Sequence, residues 1–221
     1  MITVHHLANS RSQRVLWLLE ELELPYTVQR YERDPVTMLA PPPLRQVHPL
    51  GKSPVIDDDG QVVAETGAIV EYLLQRHGQG RLAPAADSPD WLRFRYWLHY
   101  AEASAMPPLL LKLVAQRIAS APMPFFARPV ARAISRALQS DLVDPQLRLH
   151  LGYIDAELRK QPWFGGEQFS AADIAMSFPL EAASKRAPQP ELGAIGEWLQ
   201  RIHARPAYAR ALERGGDYAY A

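Results

Sequence analysis

The sequence predicts an α/β domain with the element order βαβ then ββα, followed by a second domain made only of helices. Three observations lead to this fold class. Two strand-like alternations flank an apolar helical pattern near the start of the chain, and a hairpin with an Asp-Gly turn follows further on. Beyond a stretch that contains several glycines and prolines, strand signals give way to long helical patterns.

The first half of the α/β domain is a βαβ unit by its hydrophobic periodicity. Residues 2–6 alternate in polarity as a strand, residues 13–23 carry a wide apolar face at helical spacing, and residues 26–30 suit a second strand. Together with the ββα unit that follows, this is the order of a thioredoxin-like domain. We place that domain at residues 1–77.

A β-hairpin opens the second half of the α/β domain. Residues 55–56 and 61–64 read as short strands, and the Asp57-Asp58-Asp59-Gly60 segment between them ends in a strong Asp-Gly turn signal. Because the turn fixes the register, we expect the outer ends of both strands at the same edge of the sheet.

The residues that flank the hairpin predict a ligand. Pro54 cannot donate to a strand ladder and suits a strand entrance, and a cis Ser53-Pro54 bond would turn the Ser53 backbone outward to pair with an extended peptide. Lys52 supplies a cation for a carboxylate. Thr66, expected as the N-cap of the next helix, precedes N–H groups that attract a second carboxylate, and Glu65 could accept hydrogen bonds from an ammonium group. The inferred ligand is a small extended peptide with a carboxylate at each end and an amino group beside one of them.

Proline-containing stretches organise the rest of the chain. Residues 31–50 are predicted to form a long, mostly irregular loop beside the ligand site, which either walls the pocket or serves as a rigid surface connection. Residues 78–89 read as a linker, and residues 90–221 as an all-helical domain.

The helical domain is predicted in segments. A helix over residues 91–120 should be bent or broken at Pro107-Pro108, and a long helix should run from about residue 130 to residue 160. Ser170 and Asp173 have the spacing of a capping box, with Asp in place of Glu, ahead of a buried helix.

The composition argues against several function classes. The 221 residues include 24 basic and 24 acidic side chains, so charge gives no reason to expect nucleic acid or a membrane as a partner. With no cysteine, the chain has no disulfide, and any thiol must come from a ligand. His5 and His6 point to opposite faces of their strand, and we expect no metal site. The start lacks the apolar core of a signal peptide and no apolar run approaches the ~20 residues of a membrane span, so we expect a cytoplasmic protein.

Three segments carry a resemblance to a known family. They are residues 2–26 (ITVHHLANSRSQRVLWLLEELELPY), residues 48–68 (HPLGKSPVIDDDGQVVAETGA) and residues 164–175 (FGGEQFSAADIA). Together they resemble the soluble glutathione transferase superfamily along nearly the whole chain, most of all its bacterial and fungal serine-type members. Glutathione has the two carboxylates and the amino group inferred above. The resemblance implies the glutathione transferase fold, glutathione as co-substrate, no metal, and a homodimer with each glutathione site near the subunit interface.

The resemblance also implies how the sulfur of glutathione is activated. In serine-type members a hydroxyl near the start of the first helix donates a hydrogen bond to the sulfur and favours its thiolate. Counting back from Arg14, which matches the family's arginine, Ser10 falls where theta-like members carry their serine. Ser12 is the better N-cap and Asn9 matches the position used in other classes, so both stay alternatives. The glutathione-binding residues implied are Lys52, Ser53, Pro54, Glu65, Thr66 and, as a cation near the sulfur, Arg11.

The electrophile is expected between the two domains. There Tyr100, Met106 and Leu109, with the neighbouring Leu110 and Leu113, offer apolar surface. Residues at this helical spacing are more often part of the core, so each is weighed against a packing role.

The predicted function is that of a glutathione S-transferase, which stabilises the glutathione thiolate for attack on a small apolar electrophile. One alternative keeps the fold but reduces peroxides or transfers thiols from glutathionyl conjugates. A second alternative is a non-catalytic relative that binds a ligand or a protein, since fold alone does not establish activity.

Overall fold

The computed structural model describes residues 1–37, 39–189 and 191–221, and its first domain is built on a four-stranded mixed sheet. The strands are β1 (Ile2–Leu7), β2 (Tyr26–Tyr31), β3 (Val55–Asp58) and β4 (Gln61–Ala64), in the spatial order β2-β1-β3-β4. Strand β1 runs parallel to β2 and antiparallel to β3, and β3 runs antiparallel to β4. This topology confirms the predicted thioredoxin-like domain.

The hairpin between β3 and β4 turns at Asp59 and Gly60, as the sequence predicted. Both residues have positive φ, at 51° and 92°, which is the requirement of a type I′ turn. Its register pairs Val55 with Ala64. The segment before β3 and the segment after β4 therefore leave the sheet at the same edge.

Three helices complete the first domain. They are α1 (Gln13–Glu21), α2 (Leu44–Val47) and α3 (Thr66–His77). Helix α1 ends two residues earlier than predicted, and Glu23 just beyond it has a φ of 55°. Of the loop predicted over residues 31–50, Tyr31 is the last residue of β2 and residue 38 lies outside the described residues. The described remainder is irregular apart from the single turn of α2.

The described residues of the second domain form helices and the connections between them. Residues 78–89, predicted as a linker, lie between the end of α3 and the start of the next helix. The helices are α4 (Asp90–Tyr100), α5 (Met106–Ser120), α6 (Arg128–Leu138), α7 (Asp144–Lys160), α8 (Ala171–Arg186), α9 (Gly193–His203) and α10 (Pro206–Gly215). Within the described residues, none of these helices combines the length and the apolar character needed to cross a membrane.

Two π-helical segments lie just before prolines in the second domain. Ala101–Ala105 joins α4 to α5 just before Pro107 and Pro108, and Gln139–Val143 joins α6 to α7 just before Pro145. A proline lacks the N–H that would bond four residues back, and its ring crowds that carbonyl. The wider π turn accommodates both problems. The chain therefore stays helical at Pro107-Pro108, where a bend or break was predicted, and through residues 128–160, where a long helix was predicted from about residue 130.

The capping box before α8 is present as predicted. Ser170 caps the helix, and its backbone N–H donates to the carboxylate of Asp173 at 3.0 Å. Burial raises the pKa of Asp173 to about 6, although N–H donors from Phe164, Trp198 and Ser170 oppose the rise. Helix α8 is buried over its first thirteen residues and forms the centre of the second domain.

Candidate active site

Three segments meet at one edge of the sheet. His5 of β1 pairs with Val55 of β3, so the end of β1 lies beside the start of β3 and the end of β4. The Ser53-Pro54 bond is cis, as anticipated. The Ser53 hydroxyl donates to the His5 carbonyl at 2.8 Å and accepts from the Leu7 N–H at 3.2 Å, which ties the segment before β3 to β1.

A cleft of about 480 Å³ opens at this edge, toward helices α5 and α8. This volume lies within the range of small-molecule sites. Several predicted site residues line the cleft together: Asn9, Ser10, Arg11, Lys52, Ser53 and Met106. The loop over residues 31–50 forms part of its wall, through Arg33, Leu39 and Leu50 among others.

Ser10 lies at the floor of the cleft, just before α1. Its side chain is 5% exposed, and its Oγ lies 2.8 Å from the Oγ of Ser12 and accepts from the Ser12 N–H at 3.2 Å. A serine hydroxyl has one proton, which it can turn toward either Ser12 or a ligand in the cleft. Ser10 is therefore able to donate to an atom bound above it.

Ser12 occupies the N-cap position of α1, as predicted, but its hydroxyl caps no helix N–H. It lies 2.8 Å from Nδ1 of His6 and accepts from the Leu7 N–H at 3.3 Å. Burial and the charge of Arg30 lower the pKa of His6 to about 4, against a smaller opposite effect of the Gly215 carbonyl. The imidazole is therefore neutral at pH 7. Ser12 is fully buried and does not line the cleft.

A charged network links the cleft to the domain interface. Arg14, which is 1% exposed, donates to Glu102 at 2.5 Å and to the Ala175 carbonyl at 2.7 Å, both in the second domain. Glu102 also accepts from Arg11 at 2.9 Å. Burial acts to raise the pKa of Glu102, but the two arginines and the Thr66 hydroxyl hold it below the usual value.

Thr66 is the first residue of α3 and not its N-cap, which corrects the prediction. Its hydroxyl accepts from Arg14 at 3.3 Å and is thereby committed to the charged network. Glu65 occupies the cap position with a φ of 71° and makes no side-chain cap. Glu65 is exposed and Pro54 is buried. None of the three residues Pro54, Glu65 and Thr66 lines the cleft.

Two of the three predicted electrophile residues belong to the core. Leu109 is 2% exposed, and Tyr100 is buried with its hydroxyl 2.5 Å from Nδ1 of His150. Neither lines the cleft, which corrects the prediction: Tyr100 of α4 faces His150 of α7, and Leu109 of α5 faces α7 and α8. Met106 does line it, together with Leu110 and Leu113.

The cleft also contains residues that sequence reasoning missed. They are Phe178, Arg186 and Tyr220 of the second domain, and Arg33 and Arg45 of the predicted loop. The C-terminal segment reaches the cleft because the Asn9 side-chain oxygen accepts from the Ala219 N–H at 2.7 Å. No local pattern marks these positions, since they meet the cleft only through tertiary packing. In the described part of the chain, no group of three or more His, Cys, Asp or Glu side chains could hold a metal ion.

Comparisons with known proteins agree with this arrangement. Residues 10–76 match the family described as "Glutathione S-transferase, N-terminal domain", and residues 123–206 match "Glutathione S-transferase, C-terminal domain". Glutathione S-transferase 3 of Schizosaccharomyces pombe is 37% identical, over 98% of this chain and 89% of its own. Glutathione S-transferase 1 of Saccharomyces cerevisiae is 35% identical, over 97% of this chain and 95% of its own.

A solved structure extends the likeness to three dimensions. A glutathione S-transferase from Actinobacillus pleuropneumoniae superposes with a TM-score of 0.79 at 32% identity, covering 100% of this chain and 95% of its own. Sequence, topology and superposition all agree with the resemblance read from the residues. The chain belongs to the glutathione S-transferase family.

Proposed function

We propose that this family member is a glutathione S-transferase in which Ser10 donates a hydrogen bond to the glutathione sulfur and stabilises its thiolate. The observation that supports this most is the position of Ser10 in the floor of the cleft, in the same cavity as Lys52 and Ser53. Arg11 lines the same cleft and adds positive charge near the sulfur. Positive charge and a hydrogen bond to the charged form both lower the pKa of a thiol.

The chemistry requires only that the sulfur be ionised and the electrophile be held in line with it. The thiol proton leaves to solvent, and the Ser10 hydroxyl then donates to the sulfur that remains. The thiolate attacks an electrophilic carbon, a sulfur–carbon bond forms, and the leaving group departs with its electron pair. Holding both partners in one cleft supplies much of the rate, because proximity and orientation lower the entropic part of the barrier.

Lys52, Ser53, Pro54, Glu65 and Thr66 are proposed to hold the tripeptide part of glutathione. Ser53 precedes Val55, the first paired residue of β3, so its backbone lies outside the sheet register and can pair with an extended peptide. Lys52 is exposed at the cleft and has a cation to offer a carboxylate. Glu65 and Thr66 leave the sheet at the same edge and would meet the part of glutathione that extends beyond the cleft.

Calorimetric titration with glutathione tests this proposal. We expect the wild-type chain to bind, and Lys52→Ala and Glu65→Gln each to raise the Kd about 10-fold, because each removes one charged hydrogen-bond partner. Lys160→Ala is the control, since Lys160 is an exposed lysine on α7 that pairs with Glu157. If wild-type protein gave no heat at millimolar glutathione, the enzyme proposal would be wrong. If both variants bound normally, only the pose would be wrong.

The proposed co-substrate is a small electrophile with an apolar body, held by Met106 on the helical side of the cleft. The comparisons with named glutathione S-transferases do not favour the two alternatives, a glutathione-dependent peroxidase or thiol transferase and a non-catalytic binding protein. The cytoplasmic location expected from the sequence stays a prediction.

A homodimer is also proposed, and an apolar stripe on the second domain supports it. Helices α4 and α7 lie antiparallel, with Arg93 paired to Glu157 and Trp97 stacked on Tyr153. Along their outer side four apolar residues are exposed: Leu92, Tyr96, Leu149 and Tyr153. A two-fold contact between copies would cover such a stripe on both at once.

Sedimentation equilibrium tests this assembly. We expect twice the 24.8 kDa chain mass for wild-type protein and a shift toward monomer for Leu92→Lys with Leu149→Lys. A wild-type mass equal to one chain would contradict the proposal. Phe125→Lys is the control, because Phe125 is equally exposed but lies outside α4 and α7.

A further inference from the structure

The charged side chains that line the cleft are all cations. Among the described residues they are Arg11, Arg33, Arg45, Lys52 and Arg186. The whole chain has equal numbers of basic and acidic residues, so this is a local property of the cleft. Glutathione as a thiolate brings two carboxylates, one ammonium and one charged sulfur. Its carboxylates are proposed to bind at Lys52 and the α3 start, which leaves Arg186 on the opposite, helical wall for another anion.

Arg186 has a neutral hydrogen-bond partner. It lies in the last turn of α8, on the helical wall of the cleft. Its guanidinium donates to the Tyr220 hydroxyl, and its Cζ lies 5.2 Å from the centre of the Tyr220 ring. Within the described ranges no carboxylate forms a salt bridge with Arg186. A guanidinium with a neutral partner and a half-buried position keeps its charge available to a ligand.

A second arginine approaches the same phenol from the loop wall. Burial and the positive charge of Arg117 lower the pKa of Arg33, whereas Tyr220 acts to raise it. Arg33 and Arg186 thus both lie in the cleft with Tyr220.

Apolar surface lies directly beside this cationic corner. Helix α5 contributes Met106, Leu110 and Leu113 to the cleft, and α8 contributes Phe178, whose ring centre lies 5.3 Å from that of Tyr220. A ligand that fills this half of the cleft must therefore satisfy both an apolar wall and a cationic end. A wholly apolar ligand would displace water from Arg186 without supplying an anion in its place.

We propose that the co-substrate of this cleft is an amphipathic electrophile, with an apolar body against Met106 and Phe178 and a carboxylate or similar anion bound by Arg186 beside Tyr220. This inference rests on the proposed transferase function and specifies the substrate class for the same site. Arg186 touches the substrate but not the reacting atoms, so its role is to set specificity.

A matched pair of electrophiles tests the inference. One is a chlorodinitrobenzoate anion with chlorine para to the carboxylate, and the other is its methyl ester. In both, the glutathione sulfur bonds to the ring carbon that carries chlorine, and chloride leaves with the bonding electrons. The two compounds differ in intrinsic reactivity, so kcat/KM for each is divided by its uncatalysed rate constant with glutathione. The acid preference is the ratio of this normalised kcat/KM for the acid to that for the ester.

The wild-type protein is expected to have an acid preference above one, and Arg186→Leu to lower it about 10-fold through KM for the acid. Arg186→Lys should retain part of the preference, because the charge remains without the planar fork. Arg128→Leu, at an exposed arginine outside the cleft, should leave it unchanged. An equal acid preference in wild type and Arg186→Leu would overturn the inference. So would an equal loss of turnover with acid and ester, because that is the result expected if Arg186 only anchors the C-terminal segment.

A binding measurement separates this inference from the proposed function. The two S-aryl glutathione products, acid and ester, are titrated into each variant by calorimetry, which needs no turnover. Tighter binding of the acid product by wild type than by Arg186→Leu, with equal binding of the ester product, supports the inference even if neither electrophile reacts. Absence of turnover with both electrophiles would count against the transferase function alone. Equal binding of the two products by wild type would count against the anionic substrate class alone.

Discussion

Replacing Ser10 with alanine is expected to raise the apparent pKa in the pH profile of kcat by about two units, toward the ~8.5 of an ordinary thiol. The Ser10 hydroxyl lies in the cleft floor and has one proton to offer the sulfur. Losing that bond reduces the thiolate fraction at pH 7 roughly 25-fold, but a more basic thiolate is about 8-fold more nucleophilic, so kcat should fall about 3-fold. The deficit should grow at lower pH, vanish near pH ~7.6, where the ~8-fold gain in nucleophilicity offsets the smaller thiolate fraction, and reverse above it.

The shape of the profile is the decisive readout for Ser10. Glutathione affinity, measured by calorimetry, should change little, because the tripeptide contacts lie elsewhere. Ser10→Thr keeps a hydroxyl at the same position and should restore much of the wild-type profile. An unchanged profile in Ser10→Ala would transfer the role to Ser12 or Asn9. Of these two, Asn9 lines the cleft, whereas Ser12 is fully buried with His6.

Replacing Glu102 with leucine is expected to lower the free energy of unfolding by about 3 to 5 kcal/mol. Arg14 is 1% exposed and loses its carboxylate in this variant, and a guanidinium cannot shed its proton to escape burial. Urea unfolding followed by circular dichroism measures the change. If subunit dissociation accompanies unfolding, the comparison is made at one fixed protein concentration.

A double-variant cycle and a surface control test the reason for that loss. Arg14→Met with Glu102→Leu should lose less stability than the two single variants added together, because the unpaired buried charge is gone. Glu71→Leu is the control, since Glu71 faces Arg95 at 3.9 Å with both side chains half exposed, and it should change stability by about 0.5 kcal/mol or less. If Glu102→Leu lost no more than Glu71→Leu, the ion pair would not hold the domains together.

The features that sequence reasoning predicted correctly are those that local chemistry determines. The Asp59-Gly60 turn needs two residues that tolerate positive φ, and the sequence provides them. The capping box of Ser170 and Asp173 closes within one turn of helix. Such features depend on a few neighbouring residues and so can be read without the rest of the fold.

The features that were missed depend on residues far apart in the chain. Thr66 looked like a cap because its local sequence suits one, but its hydroxyl bonds to Arg14 on another helix. Tyr100 and Leu109 had the right helical spacing, yet spacing alone does not tell which neighbour covers a face. Likewise, Pro107 and Pro108 signalled a bend or break, whereas the π segment just before them keeps the chain helical.

The charged network also limits how the cleft can change in evolution or by engineering. One carboxylate, that of Glu102, serves both a cleft arginine and the buried arginine that joins the two domains. A substitution at Glu102 that altered the electrostatic potential over the sulfur would weaken the domain interface as well. Arg45, Lys52 and Arg186 form no salt bridge among the described residues, so a change of ligand charge preference at those three positions would leave the ion pair between the domains intact.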